Sequence, residues 1–165
     1  RVYEKDGLTI TAVPVSHSPA EPAVAYRFDY QGRSITLSGD TAKSESHAAI
    51  ARDTDLLIHE ALNTDFVGAI EAGMKESGRD RVAKIMADIP SYHTTPVGAA
   101  ETATSANAKA LVLSHIVPAL PTRFLERAYL KGTKAAYEGP IIVGEDGMVF
   151  SLPAKSGAMQ RRKLK

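Results

Sequence analysis

Near the start of the chain, apolar and polar side chains alternate with a period of two. Leu8, Ile10 and Ala12 are interleaved with Thr9 and Thr11, the pattern of a half-buried strand, and Pro14 with Ser16-His17-Ser18-Pro19 breaks it. Val24, Tyr26, Phe28 and Tyr30 alternate with Ala25, Arg27 and Asp29. Gln31-Gly32 then supplies a turn and Ile35 and Leu37 continue beyond it, which predicts a hairpin ending at Gly39-Asp40-Thr41. Ser44 or Ser46 can cap a short helix to about Arg52, and residues 55–61 form an apolar run of the kind found in strands covered on both faces.

Helical spacing from 66 to 88 is interrupted by Gly68, Gly73 and Gly78, which predicts two short helices or one helix and a loop. Thr95 followed by Pro96 starts a further helix that runs to about Ala106, because threonine caps and proline is preset for the first helical position. A buried strand from Ala110 ends at His115, and Pro118 and Pro121 force a loop before a helix over 123–136. Residues 141–143 and 148–152 flank an Asp-Gly turn and read as a closing hairpin. No internal repeat is present. Strands alternating with helices predict a layered α/β (α+β) arrangement, a mixed sheet with flanking helices, in one unit over residues 1–153.

Composition narrows the function classes. With 44% apolar and 24% charged residues in 165 positions, the chain reads as a soluble globular domain or half of a larger one. Its longest apolar runs fall far short of the roughly 20 residues that cross a bilayer, so no membrane span is expected. Without cysteine there is no disulfide framework and no thiol ligand or nucleophile, so a metal must be held by His, Asp or Glu. Cytoplasmic and periplasmic settings both fit that composition. The net charge of +1 is uneven: residues 154–165 carry Lys155, Arg161, Arg162, Lys163 and Lys165 with no acid, and the remainder is mildly acidic. The tail is expected to be disordered and solvated, and the acidic body argues against nucleic acid as a partner. The chain opens on Arg1 with no leader-like stretch, which suggests a segment internal to something longer.

His17, Asp40 and His115 each fall in the first turn after an expected strand. Loops leaving one edge of a layered sheet converge, so these three residues can meet. Imidazole nitrogen and carboxylate oxygen are the ligands zinc accepts when thiolate is absent, and a carboxylate can bridge two ions. His93 precedes the helix that starts at Thr95, a position suited to a proton donor or oxyanion stabiliser, and Glu60 could orient it. His59 should face away from Glu60 and is read as structural, and His47 as a solvated surface residue. Neither a phosphate-binding G-x-x-x-x-G-K loop nor a G-x-S-x-G elbow occurs.

Four segments together carry a family likeness. Thr11-Ala12-Val13-Pro14-Val15-Ser16-His17 with Ala25-Tyr26-Arg27-Phe28, Thr36-Leu37-Ser38-Gly39-Asp40-Thr41, Asp55-Leu56-Leu57-Ile58-His59-Glu60-Ala61, and Ser91-Tyr92-His93-Thr94-Thr95-Pro96 leading to Leu111-Val112-Leu113-Ser114-His115 lie in order over nearly the whole chain. This series resembles the C-terminal half of the metallo-β-lactamase superfamily, in its ribonuclease Z-like and arylsulfatase-like branches. The resemblance implies the C-terminal half of an αββα sandwich with a dinuclear centre of two divalent metal ions, zinc foremost. It implies His17 on one ion, Asp40 bridging, His115 on the other, His93 beside the cleaved bond and Glu60 near it.

Two departures limit what the likeness implies. The family's main metal motif, H-x-H-x-D-H, does not occur, and three residues shared between two ions cannot hold both. The missing N-terminal half of the same domain is therefore the expected partner, and a homodimer is a further one. Between His17 and Asp40 there is room for one tight hairpin only, with no long arm to grip transfer RNA. The expected activity is hydrolysis of a small ester, phosphodiester, sulfate ester or lactam by metal-activated hydroxide. A ribonuclease Z-like endonuclease and a non-catalytic interaction module are the alternatives.

Overall fold

The early alternation becomes an antiparallel meander. The computed structural model describes residues 1–164. Strands β1 (Tyr3–Lys5), β2 (Leu8–Val15), β3 (Ala23–Tyr30) and β4 (Arg33–Leu37) lie side by side in chain order. Gln31 and Gly32 sit at positive φ, 49° and 74°, as a two-residue turn of the primed type requires. Asp6 and Gly7 do the same at 51° and 81° and bring in β1, a strand absent from the expected elements although its Asp-Gly signal is present.

The chain then crosses over three times. Helix α1 (Glu45–Ile50), capped by Ser44, leads to β5 (Leu56–Leu62). Helices α2 (Thr64–Glu76), α3 (Asp80–Asp88) and α4 (Pro96–Ser105) lead to β6 (Leu111–Val117), and α5 (Glu126–Tyr129) and α6 (Thr133–Ala136) to β7 (Ile141–Val143). Because β4 to β7 all run parallel, the seven strands form one mixed sheet whose order is that of the chain. The mixed sheet with flanking helices is the expected class. No helix among the described residues is long and apolar enough to cross a membrane.

Packing differs on the two faces. Ala99, Ala100 and Ala103 of α4 are fully buried in one cluster with Leu57, Leu111 and Leu113, where small side chains let helix and sheet approach closely. On the other face Phe150, Leu152 and Met159 cover Leu56, Ala110 and Val112. These three come from β8 (Met148–Ser151) and the stretch before β9 (Gln160–Lys163), which pair antiparallel as a separate two-stranded sheet.

That pairing corrects two expectations. Residues 141–143 and 148–152 do not form a hairpin: β7 pairs with β6, and β8 with β9. The Gly144 N–H donates to the Leu113 carbonyl at 2.7 Å and holds the chain on the main sheet before it departs. Nor is the basic tail disordered over 160–163, since β9 has a strand partner and Arg33 Nη1 donates to the carbonyls of Pro153 and Ala158 at 3.0 Å each. The last residue of that tail lies outside the described residues. The helix expected over 123–136 is also broken, into a 3₁₀ turn at Arg123–Leu125, α5 and α6, with Gly132 at φ 87° between the last two.

Arg33 ties the tail to the sheet through Asp55. The carboxylate of Asp55 accepts from Arg33 Nε at 3.0 Å, Ser34 N at 2.8 Å and Lys109 Nζ at 2.6 Å. Burial alone would raise its pKa, but the hydrogen bonds from Arg33, Lys109 and Ser34 outweigh burial and hold it at about 2.

His47 is fully buried rather than solvated, because α1 lies on β2 and β3 and turns its imidazole toward His59, 5.0 Å between ring centroids. His59 is fully buried as well, and its Nδ1 donates to the Glu60 carbonyl at 2.8 Å. Burial, with His59 beside it, lowers the His47 pKa from 6.5 to about 3, and burial lowers that of His59 to about 4 against the raising effect of the carbonyl. Both bases are depressed on folding, so the unfolded chain takes up protons first as pH falls. The stability that their neutral forms contribute is present in full above pH 6.5 and is lost between about 6.5 and 3, while buried Glu60, pushed up to about 8, acts in the opposite direction and offsets part of it. Thermal unfolding followed by circular dichroism should show a fall in Tm from pH 7 to pH 4, at up to about 1.4 kcal/mol per pH unit for each histidine. His47→Leu should flatten that dependence; an equally steep profile would remove His47 as its source.

Candidate metal centre

Strand direction brings the candidate residues together. Since β3 is antiparallel to both β2 and β4, β2 runs the same way as β4, β5 and β6, and all four end at one sheet edge. His17 follows β2, Asp40 follows β4, Glu60 lies near the end of β5 and His115 near that of β6. His93 reaches the same edge because Leu62 N–H donates to the Thr94 carbonyl at 2.8 Å.

Two local devices aim the side chains. Gly39 has φ 62°, and a Cβ there would stand 2.6 Å from the Val24 carbonyl oxygen, so only glycine lets β4 bend past β3 to present Asp40. In β6, Glu60 pairs with Ser114 and Ala61 with Ile116, which leaves His115 as the extra residue of a bulge, at φ 43°. Regular alternation would place His115 on the helix-covered face with Leu111 and Leu113. The bulge turns it outward instead, 48% exposed, with Nε2 3.5 Å from Asp40 Oδ2.

Glu60, 1% exposed, ties the surrounding loops. Its Oε1 accepts from Thr94 N at 2.9 Å and Thr41 N at 3.2 Å, and the Thr94 hydroxyl donates to the Thr41 carbonyl at 2.7 Å. The Ser38 hydroxyl accepts from Glu60 N at 2.9 Å. Burial pushes the Glu60 pKa up to about 8, against the lowering effect of the Thr94 and Thr41 amides. Sequence reasoning missed Ser38, Thr41 and Thr94 because backbone partners leave no spacing signal. Thr95 does cap α4, accepting from Gly98 N at 3.0 Å.

The imidazoles crowd one volume. His93 Nε2 lies 3.4 Å from His17 Nε2, and the rings of His93 and His115 stack with centroids 5.5 Å apart. On the other side His93 Nδ1 stands 3.2 Å from Glu60 Oε1, a close approach without hydrogen-bond alignment. Burial lowers the His93 pKa, His17 and His115 add to the effect, and Asp40 partly offsets them. Neutral imidazole is the form that ligates metal.

This donor set fits divalent cations. Three histidines and two carboxylates face one another, and Glu60 Oε2 and His93 Nδ1 are buried without hydrogen-bond partners. Donor atoms of Glu60, His93 and His115 all lie within 4.8 Å of one another, and Asp40 and His17 adjoin that trio. All five residues singled out in the sequence are therefore brought together.

Comparison with known proteins gives a consistent picture. The profile of the beta-lactamase superfamily domain matches residues 2–116. A ribonuclease Z of Mycobacterium avium (strain 104) is 34% identical over 119 residues, 72% of this chain and 39% of the relative. A ribonuclease Z of Mycobacterium tuberculosis is 33% identical over 145 residues, 87% of this chain and 48% of the relative. The chain thus spans less than half the length of these two relatives. Among solved structures, the metallo-beta-lactamase fold protein YhfI from Bacillus subtilis has a TM-score of 0.63 at 18% identity, with 97% of this chain and 52% of that chain covered. Human tRNase Z, short form, has a TM-score of 0.57 at 23% identity, with 92% and 45% covered. At these identities the structural likeness concerns the fold.

Proposed function

Because the chain belongs to the metallo-β-lactamase superfamily, we propose that it forms part of a metal-dependent hydrolase of phosphodiester bonds with RNA as its polymer substrate. The observation that carries this reading is the gathering of His17, His93, His115, Asp40 and Glu60 at one sheet edge. The names of the relatives at 33% and 34% identity favour RNA over the small substrate expected from the sequence, where the lack of an arm and the acidic body spoke against nucleic acid.

His17, Asp40 and His115 would hold the metal ions, with further ligands from the part of the protein that corresponds to the half of the relatives this chain does not span. When bound, divalent cations supply Lewis acidity and lower the pKa of water to about 7. Glu60 Oε1 stands 3.2 Å from His93 Nδ1 and would orient the ring once the two align, with Nε2 at the cleft. From there a neutral His93 carrying its proton on Nε2 would hydrogen-bond the leaving oxygen as negative charge develops on it. Glu60 acts through His93 and through the loops it ties, so it is a positioning residue.

The full-length protein should therefore contain zinc or a similar cation by elemental analysis. It should also hydrolyse bis(4-nitrophenyl) phosphate and a transfer-RNA precursor, and lose both activities to EDTA. Cleavage indifferent to the chelator contradicts the metal reading, and hydrolysis of the small diester alone contradicts the RNA assignment.

A further inference from the structure

The mechanism leaves unused the basic strand β9 and the turn at Arg123–Leu125, and the two meet beside the metal centre. A cleft of about 750 Å³ opens at Ser114 and His115 and runs to Arg123, Glu145 and Lys163. A second, of about 340 Å³, shares Arg123, Glu145 and Lys163 and continues to Arg161 and Arg162. The outer cleft thus has four cations against two carboxylates, Glu126 and Glu145, and the inner cleft adds a third carboxylate, Asp146, so the basic charge is concentrated at the outer end. Glu145 pairs with both Arg123 and Lys163, which fixes two of the cations in place.

Strand register sorts the basic side chains. Arg161 is paired with Phe150 and Lys163 with Met148, so both share the face of the small sheet that turns Phe150 onto the main sheet; Arg162, opposite Val149, takes the other face, and because β9 is an edge strand, residues of both faces border the outer cleft. Beside Arg123, Phe124 is 88% exposed. Phe124 lines neither cleft but directly follows Arg123 in the chain, and an aromatic ring held in water beside a cation is a component of a single-strand platform, in which bases stack and phosphates meet arginine and lysine.

We propose that Arg123, Phe124, Arg161, Arg162 and Lys163 form a binding lane for single-stranded RNA that leads into the metal centre. The lane rests on the phosphodiesterase reading above for its direction, but its test is binding and requires no turnover. Affinity of the full-length protein for a fluorescein-labelled single-stranded RNA is measured by anisotropy in EDTA across a salt series. The double variant Arg161→Glu/Arg162→Glu should bind more weakly, with a log–log salt slope smaller by about 0.7 for each phosphate that is no longer neutralised. Phe124→Ala, a milder change at an exposed position, should bind about tenfold more weakly.

Wild-type affinity and salt slope in both variants overturn the lane. Weakened RNA binding by the variants, together with a wild-type protein that hydrolyses no phosphodiester, supports the lane and overturns the hydrolase reading. Metal-dependent hydrolysis by a wild-type protein whose RNA affinity neither variant changes does the reverse.

Discussion

Asp40→Ala in the full-length protein is expected to lose bound metal and hydrolysis together. Asp40 is 41% exposed, its carboxylate lies 3.5 Å from His115 Nε2, and among the described residues it accepts no backbone hydrogen bond that the fold requires. Removing it should leave thermal stability within about 0.5 kcal/mol of wild type. The loss of activity should exceed the about 10- to 100-fold that follows removal of a group merely orienting a ligand. Elemental analysis and turnover on one preparation check this. A variant that keeps its full metal content excludes Asp40 as a bridging ligand.

His93→Ala is expected to retain metal and lower turnover by about 10²-fold or more, the usual contribution of a positioned hydrogen-bond donor to developing charge. Its imidazole is 8% exposed, with Glu60 Oε1 3.2 Å from one nitrogen and His17 Nε2 3.4 Å from the other. The substitution also separates two readings of the same cluster. Glu60, His93 and His115 by themselves are compact enough to hold an ion. If His93→Ala loses metal, His93 is a ligand and its place beside the reacting bond falls.

Local pattern and turn chemistry reached far into this molecule. The alternation of residues 8–12 and 24–37, the Gln31-Gly32 turn and the Thr95 cap are each settled within a few residues and realised; of the two serines offered as caps Ser44 is the one used, and of the three glycines expected to interrupt the helix only Gly78 does, since α2 runs unbroken through Gly68 and Gly73. The edge at which His17, Asp40, Glu60 and His115 gather follows from strand direction alone. What stayed hidden depends on distant partners. His47 lies in a polar-looking stretch and is buried because α1 lands on β2 and β3. The outward turn of His115 depends on a bulge that alternation cannot announce. The single role read for Glu60 missed its two backbone donors, which come from loops far along the chain. The tail looked solvated by composition, yet Arg33 and β8 supply its backbone with partners.

The central claim is that His17, Asp40 and His115 bind metal at one sheet edge. Anomalous diffraction at the zinc edge from zinc-loaded crystals of the full-length protein tests it most directly. The predicted result is density about 2.0 to 2.2 Å from the ring nitrogens of His17 and His115 and from an oxygen of Asp40. Zinc bound elsewhere, with those three side chains uncoordinated, would contradict it.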